Sequence, residues 1–317
     1  MRTYALRRVI AAFVVLVLVS IIVFALMHLL PGDALVTKLG ETGRIPQDRM
    51  DSLRDEMGLN DPLPVQYAKW VRDVLSGTMG DSLVYEGRTV SSRILDALPI
   101  TLELGILGLV ASIIIGVPMG VISAVTQDSP LDYFIRLFSL LGLSIPQFWL
   151  GLIIIVYGTL YLGYSPPTRF ISLADDPIGN LQMMWIPALV LGFSLAAGIM
   201  RMTRSTVLEA MHEDYARTAR AKGLAERIVV VRHVVRNALI PVITLVGNQA
   251  AFIFSGALIL EILFVLPGMG RLTLDAIYQR DYTQVQGCAL VAGAAVVGVN
   301  LLVDLSYGWI DPRVRYG

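Results

Sequence analysis

Residues 99–125 read PITLELGILGLVASIIIGVPMGVISAV, and this run decides the class of fold. It contains one charged side chain, Glu103, and it is long enough to cross a hydrocarbon layer of about 30 Å as a single helix. In lipid, every backbone N–H and C=O group must find a partner inside its own segment, so such a run forms a helix rather than an isolated strand. It therefore predicts a transmembrane helix.

The composition of the whole chain is also strongly apolar. Of its 317 residues, 55% are hydrophobic and only 16% are charged, and the mean hydropathy is +0.68. A soluble domain of this length needs more polar surface. The formal net charge is zero, which gives no sign of a nucleic-acid partner or an acidic substrate. The composition predicts an integral membrane protein.

Five further apolar runs accompany the first. Val9–Leu30 follows three arginines and looks like a signal peptide, but its length and the lack of a small-residue cleavage site favour an uncleaved span. The other four runs are Phe134–Leu162, Trp185–Met200, Leu239–Phe264 and Cys288–Trp309. We expect an all-α membrane protein with about six transmembrane helices.

Lysine and arginine in the short connections predict the orientation. Residues 201–236 carry eight of them, whereas the connections after the third and fifth spans are poor in both. With six spans in the inner membrane, both termini and this basic stretch are expected in the cytoplasm. The predicted organisation is a first helix at 1–30, an extracytoplasmic cap at 31–98, and a five-helix core at 99–317 with a cytoplasmic loop at 201–238.

Small residues within the spans are interpreted as packing positions. Gly116 and Gly120 form a G-x-x-x-G pair, and Ala289 and Gly293 form a similar pair in the last span. The single cysteine, Cys288, excludes an intrachain disulfide and is read as a packing residue as well. A channel-lining role for the glycines is the alternative.

The most informative polar segment lies between the fourth and fifth spans and reads EAMHEDYARTARAKGL at residues 209–224. Asp214 is a favourable N-cap and Gly223 a favourable residue just past a helix end, so the segment predicts a helix of about two turns. Ala216, Ala219 and Ala221 have little bulk, so we expect another surface to approach closely. On these residues alone, contact with anionic lipid and docking of a protein are equally compatible.

This segment resembles the coupling loop of ABC-importer permeases, and more narrowly that of the B-type permease subunits of dipeptide and oligopeptide importers. Alanine at 34 and threonine at 283 stand where that family usually has proline, and Arg217-Thr218 replace the Glu-Ala of the general consensus. The Arg-Thr form is common in the peptide branch. The resemblance runs nearly end to end, through LPGD at 30–33, GLNDPLPVQY at 58–67, LPITLEL at 98–104, SIPQFW at 144–149, RHVVRNALIP at 232–241, PGMGR at 267–271, RDY at 280–282 and DPRVRY at 311–316.

The resemblance implies the type I ABC-importer permease fold and a function. The chain would be the transmembrane permease subunit of an ATP-driven importer of di- and oligopeptides, working by alternating access. The same machinery could instead carry nickel, glutathione or oligosaccharides. A secondary transporter or channel that needs no ATPase is a further alternative.

The expected cofactors and partners follow from the same resemblance. The chain contains no G-x-x-x-x-G-K-[ST] phosphate loop, so we expect no bound cofactor and no catalysis here, with ATP and Mg²⁺ held by partner subunits. The three histidines share no metal-ligand spacing, so no metal site is expected. The partners would be two cytoplasmic ABC ATPases, an extracytoplasmic substrate-binding protein, the bilayer and a second permease. That second permease would be a related subunit, although the residues equally allow a homodimer.

The resemblance assigns ATPase coupling to the predicted short helix, whose basic side chains would pair with acids in an ATPase cleft. The residues of this expected coupling helix are Asp214, Tyr215, Ala216, Arg217, Thr218, Ala219, Arg220, Ala221, Lys222, Gly223 and Leu224.

Polar side chains within the spans are candidates for a wetted translocation pathway, because an ionisable group in a membrane is costly unless it is paired or functional. Glu261 could instead reach for the interface or pair with Arg271, as could Glu103, and Asp304 could be neutralised by the basic tail. The pathway candidates are Asn248, Gln249, Glu261, Asn300 and Asp304.

Overall fold

A computed structural model gives the fold, and its described part is almost entirely helical. Residues 31–59 of the predicted cap lie outside that part. The carboxyl-terminal motif at 311–316 lies outside it as well. The structure describes residues 2–29, 60–85, 87–167, 169–251 and 253–310.

The helices are numbered here in chain order. One of them contains a π-helical turn at Val229–Val234. The helices are α1 Arg2–Leu29, α2 Leu63–Leu75, α3 Val90–Val125, α4 Pro130–Ser144, α5 Gln147–Leu162, α6 Pro177–His212, α7 Asp214–Ala221, α8 Glu226–Ala251, α9 Ile253–Leu263, α10 Met269–Tyr278 and α11 Tyr282–Ile310.

Five of these helices, α1, α3, α6, α8 and α11, are long and apolar enough to cross a membrane. Helices α4 and α5 pass the same test together, which gives up to six spans and confirms the predicted number. The two are bent by 99° at their junction, so the apolar run Phe134–Leu162 forms parts of two helices. Pro146 explains the break, because its ring disfavours helical backbone at Ile145, which is extended at φ −83° and ψ 119°.

Several spans begin before their apolar runs, and at α3 and α6 polar caps set the helix starts. Helix α3 begins at Val90 instead of Pro99, and the Thr89 hydroxyl accepts a hydrogen bond from the backbone N–H of Ser92 at 3.3 Å. Helix α6 follows Asp176, whose carboxylate accepts a bond from the backbone N–H of Gly179 at 3.0 Å. Capping groups satisfy the first N–H groups of a helix, so the helix extends past the hydrophobic limit.

Residues 102–266, together with the end of α11 beyond residue 301, form one compact unit. Within it, α3 packs against α6 at the predicted glycine pair. A Cβ atom at Gly116 would lie 2.7 Å from Cγ2 of Ile199, and one at Gly120 would lie 2.6 Å from Cβ of Thr203. Neither position has room for a side chain, which confirms the packing role of both glycines.

The other compact unit comprises the residues up to 101 and residues 267–301. Val90, Ile94 and Ala97 of α3 pack there with Met269 and Cys288. Cys288 is buried, as expected for a packing residue. In the same unit, a Cβ atom at Gly293 would lie 2.8 Å from Cγ1 of Val19, so the last span approaches α1 closely, as its small residues predicted.

The start of α11 is organised by a buried carboxylate, Asp281. The Arg93 guanidinium lies 3.7 Å from this carboxylate and 4.0 Å from the centre of the Tyr85 ring. Asp281 thereby ties the last membrane helix to the loop before α3. Its oxygens accept hydrogen bonds from the N–H of Leu83 at 3.1 Å, the N–H of Gln284 at 3.2 Å, the hydroxyl of Thr283 at 3.0 Å and the hydroxyl of Ser82.

Candidate coupling segment and polar residues of the spans

Helix α7 joins α6 to α8 and begins after Glu213. Glu213 is extended, at φ −69° and ψ 153°, and its carbonyl oxygen accepts bonds from the N–H groups of Ala216 and Arg217 at 3.0 and 3.2 Å. Asp214 is therefore the first helical residue, and its predicted role as N-cap is wrong by one position. The Glu213 backbone makes the turn by itself, which leaves the Asp214 carboxylate exposed, 3.4 Å from the Arg217 guanidinium.

The other end of α7 is closed by Gly223, whose φ is +78°. Its N–H donates to the Arg220 carbonyl at 2.9 Å, and the N–H of Leu224 donates to the Ala219 carbonyl at 3.4 Å. These two reverse bonds form a Schellman motif, which satisfies carbonyl groups that a helix end leaves open. The prediction that Gly223 ends this helix is confirmed.

Two of the small residues of α7 face the interior of the chain, while Ala221 is exposed. Ala216 and Ala219 are 0% and 6% exposed, and they pack with Val207 of α6 and with Val229 and Val234 of the π-helical turn. The surface that approaches these two alanines closely is therefore the chain's own. Their spacing of three residues is the periodicity of a buried helix face, and this was the signal that sequence reasoning missed.

The opposite face of α7 is exposed. It presents the aromatic ring of Tyr215 and the basic side chains of Arg217 and Lys222. The Thr218 hydroxyl also lies there and donates a hydrogen bond to the Asp214 carbonyl at 2.8 Å. A helix with one buried and one exposed face can dock on a partner without losing its own support. The exposed residues of the segment are Asp214, Tyr215, Arg217, Thr218, Ala221, Lys222, Gly223 and Leu224.

Arg220 differs from the exposed Arg217 because it is half-buried and bonds to residues outside α7. Its Nη2 and Nε atoms lie 2.8 and 3.0 Å from the carboxylate of Glu226, and its Nη1 donates to the Met211 carbonyl at 3.0 Å. Hydrogen bonding to Glu226 raises the pKa of the Arg220 guanidinium. Arg220 therefore braces α7 between the end of α6 and the start of α8.

A second polar cluster joins α4 to α6 and was not predicted. Asp132 is fully buried and receives two bonds from Arg204, at 2.9 Å from Nε and 2.8 Å from Nη2. The hydroxyl of Ser123 and the backbone N–H of Asp128, the latter at 3.1 Å, complete the shell of the carboxylate. A buried charge satisfied this fully fixes the turn between α3 and α4 to the last part of α6.

The sequence contains a local signal for the helix start near Asp132 but none for its pairing with Arg204. Ser129-Pro130 followed by Asp132 is a helix-start pattern, and the Ser129 hydroxyl accepts a bond from the Asp132 backbone N–H at 3.2 Å. Arg204 was visible only as one charge in a basic stretch. Nothing local links two residues that are 72 positions apart.

The pathway candidates lie in different environments. The Gln249 amide donates to the Leu195 carbonyl at 3.2 Å, while its buried Oε1 atom has no hydrogen-bond partner in the described part of the chain. Asn248 is exposed in the same unit. Asn300 is also exposed, but it belongs to the other compact unit. The five candidates therefore do not all fall within one unit.

The acidic candidates are divided by burial. Glu261 is 0% exposed, so the alternative in which it reaches for the membrane interface is wrong. Asp304 is half-buried near the end of α11, while the basic tail proposed to neutralise it lies outside the described residues. Glu103 is half-buried in the second span, and its Oε1 atom has no hydrogen-bond partner among the described residues.

Two protein-family models match this chain, and together they cover nearly all of its length. Residues 116–316 match the model of a family described as "Binding-protein-dependent transport system inner membrane component". Residues 1–105 match a model described as the N-terminal part of a binding-protein-dependent transport system membrane component.

Individual relatives match over their full length as well. A Brucella suis protein whose name describes a candidate peptide permease is 41% identical over 99% of both chains. The Oligopeptide transport system permease protein AppB of Bacillus subtilis is 36% identical over 100% of both chains. A Sinorhizobium fredii protein named as a probable peptide ABC transporter permease is 35% identical, again over 100% of both chains.

Proposed function

Because the chain belongs to the family of binding-protein-dependent transport system inner membrane components, we propose that it is the membrane-spanning permease subunit of an ATP-driven peptide importer. The names of its relatives support both parts of this proposal, since they describe peptide or oligopeptide permeases and, in one case, an ABC transporter. They favour peptides over nickel, glutathione or oligosaccharides as cargo.

The coupling role rests on one observation. One face of α7 packs against the rest of the chain, and the opposite face is exposed. Ala216 and Ala219 seat it on α6 and on the π-helical turn of α8, and the bonds of Arg220 to Glu226 and Met211 brace it. A force applied to the exposed face is therefore delivered to two membrane-length helices together. Rigid-body transfer of this kind suits a helix that passes ATPase movement to the spans.

The mechanism we propose is alternating access driven by the ATPases. A partner shifts the balance between inward-open and outward-open states only through a difference in its contact free energy with the two states. Moving that balance from 1:99 to 99:1 takes about 5.5 kcal/mol. Contacts made by the exposed residues of α7 on a closing ATPase pair are the source of this difference in our proposal.

The proposed assembly contains this chain, a related second permease, two cytoplasmic ABC ATPases and an extracytoplasmic substrate-binding protein. Both termini lie in the cytoplasm, as the basic residues in 201–236 indicate. Segment 31–98 then faces the binding protein. ATP and Mg²⁺ reside on the ATPases, and this chain performs no covalent chemistry, in keeping with a sequence that has no phosphate loop.

Crosslinking tests the coupling role. Thr218 is exposed on α7, whereas the native Cys288 is buried, so a Thr218→Cys variant offers one accessible thiol. In the purified importer we expect this thiol to crosslink to an ATPase subunit, with a yield that changes when ATP is added. Mass spectrometry of the crosslinked peptides measures the yield and identifies the partner.

Asp96→Cys provides the matched control. Asp96 is exposed on the first turns of α3, in the part predicted to face the binding protein, and should give no ATPase crosslink. The coupling assignment fails if Thr218→Cys, Ala221→Cys and Leu224→Cys all leave the ATPase unlabelled in an assembly that still hydrolyses ATP.

Uptake measurements test the cargo. Proteoliposomes that contain the full importer and its binding protein should accumulate labelled di- or oligopeptides only in the presence of internal ATP. Nickel and oligosaccharides should not compete. Transport of either of these without peptide transport would overturn the peptide assignment and leave the coupling assignment intact.

A further inference from the structure

An open groove runs along the flank of α4 and α6, near the end of α6 that leads into α7. Its volume is about 510 Å³, and all of its lining lies within one compact unit. The lining side chains used below are Tyr133, Arg136, Leu137, Leu140, Arg201 and Arg204.

The groove has a strong positive charge that its own lining leaves uncompensated. Arg136 and Arg201 are exposed, and in the described part of the chain no carboxylate oxygen lies within 4.0 Å of either guanidinium. Arg204 is bonded to the buried Asp132. The Arg136 guanidinium lies 5.4 Å from the centre of the Tyr133 ring, a cation–π contact that orients it beside the groove.

The position of Arg201 along α6 places the groove at a membrane boundary. Residues 177–200 of that helix contain no charged side chain, and Arg201 is the first charge after them. At 1.5 Å per residue this uncharged stretch is about 36 Å long, slightly more than the hydrocarbon core. Arg201 therefore lies where the acyl chains end and the headgroups begin.

The lining changes from charged to apolar along α4. Leu137 and Leu140 are each 56% exposed, and Leu140 lies one helical turn after Arg136 on the same face. Tyr133, also 56% exposed, has the amphipathic ring that is enriched at membrane interfaces. The lining thus presents cationic and aromatic groups followed by apolar groups, which is complementary to the phosphate and the acyl chains of an anionic phospholipid.

We propose that this groove binds the headgroup of an anionic phospholipid. The planar forks of Arg136 and Arg201 match a phosphodiester, and Leu137 and Leu140 contact the upper acyl chain. Basic pockets between membrane helices bind anionic headgroups by this combination of forces. The leaflet is the one next to α7, and the site depends neither on peptide cargo nor on ATPase docking.

Photolabelling of the intact importer tests this proposal. The complex is placed in nanodiscs that contain a phosphatidylglycerol analogue with a photoreactive acyl chain, and labelled peptides are mapped by mass spectrometry. We expect label on α4 near Leu137 and Leu140, and we expect at least fivefold less from a matched phosphatidylcholine analogue. Equal labelling by the two lipids would overturn the proposal, and this comparison needs no variant.

Variants then locate the charge. Arg136→Gln with Arg201→Gln should lower labelling of α4 by phosphatidylglycerol roughly 25-fold, since each arginine near an anionic surface contributes about fivefold. Arg227→Gln, an exposed arginine outside the lining of the groove, should leave it unchanged. Unchanged labelling in the double variant, displacement of the lipid by inorganic phosphate, or crosslinking of α4 to the second permease in place of lipid would each refute the lipid site.

Discussion

Asp132 on α4 and Asp281 before α11 are both 0% exposed, yet they are satisfied in different ways. Asp132 takes two bonds, of 2.8 and 2.9 Å, from the guanidinium of Arg204. Asp281 accepts bonds from backbone N–H groups and hydroxyl groups, and its guanidinium neighbour, Arg93, stands 3.7 Å away. The first site is an ion pair, while the second is a helix cap with a distant counter-charge.

The difference shows which residue each region depends on. An ion pair loses its counter-charge through one substitution, which leaves a buried and uncompensated carboxylate. A cap distributes its stabilisation over several donors, so the loss of one partner is partly absorbed by the others. Helix α6 carries α7 at its end, and its connection to α4 therefore depends on Arg204 more than the start of α11 depends on Arg93.

The largest effect is expected from Arg204→Met. This change leaves the buried Asp132 carboxylate without its counter-charge, so we expect a loss of about 3–5 kcal/mol in stability. The measurement is the thermal unfolding midpoint of the purified importer in detergent. Asp132→Asn combined with Arg204→Met removes both charges and should recover much of the loss. If the double variant is no more stable than Arg204→Met alone, the ion-pair interpretation is wrong.

The next effect tests the cap. Asp281→Ala removes the acceptor for the Gln284 N–H in the first turn of α11 and for the N–H of Leu83, so we expect a loss of about 2 kcal/mol in the same unfolding assay. Asp281→Asn keeps one carbonyl oxygen and should lose about half as much. Equal losses for alanine and asparagine would show that the charge of Asp281 matters more than its hydrogen bonds.

Gly223 extends the comparison to a helix end made by backbone alone. Gly223→Val should lower stability by about 1–2 kcal/mol, because a β-branched residue is strained at a φ of +78°. A Cβ atom there meets no described atom within 4 Å, so the cost comes from the backbone and not from a clash. Peptide uptake should fall while membrane insertion is retained. Gly223→Asn, which tolerates this conformation, is the control, and equal uptake by the two variants would contradict the prediction.

The smallest effect is expected from Arg93→Met. Arg93 makes a contact of 3.7 Å with Asp281, a hydrogen bond of 3.4 Å to Gln284 and a contact with the Tyr85 ring. Because Asp281 keeps its other hydrogen bonds when Arg93 is replaced, we expect a loss of about 1 kcal/mol. Measured beside Arg204→Met, this variant is the sharpest test of the contrast between the two sites. Losses of equal size would remove the distinction drawn between an ion pair and a cap.

The parts of the fold that could be predicted depend on local pattern. The apolar runs predicted the membrane helices, and G-x-x-x-G at Gly116 and Gly120 predicted where two of them touch. Helix starts were predicted less well, because Thr89 and Asp176 cap helices outside the apolar runs. These caps are local sequence signals too, but a prediction that follows the apolar runs places the helix starts too late to include them.

The features of the candidate site also divide into those that the local sequence predicts and those that depend on tertiary packing. Gly223 could be recognised because only its own backbone conformation and two nearby carbonyls are involved. The inward orientation of Ala216 and the bonds of Arg220 to Glu226 depend on how α6, α7 and α8 come together. The basic side chains of the segment look alike in the sequence, although the fold uses one as a brace and leaves others exposed.

The sequence by itself determined that the chain crosses a membrane about six times and carries a short capped helix between two of the spans. Lengths of apolar runs and turn residues act over a few positions, so they can be read along the chain. Only the tertiary structure decided that Asp132 meets Arg204 and that Asp281 meets Ser82, 199 positions away. Such partners are selected when buried charges must be satisfied, and that requirement arises only once the helices have packed.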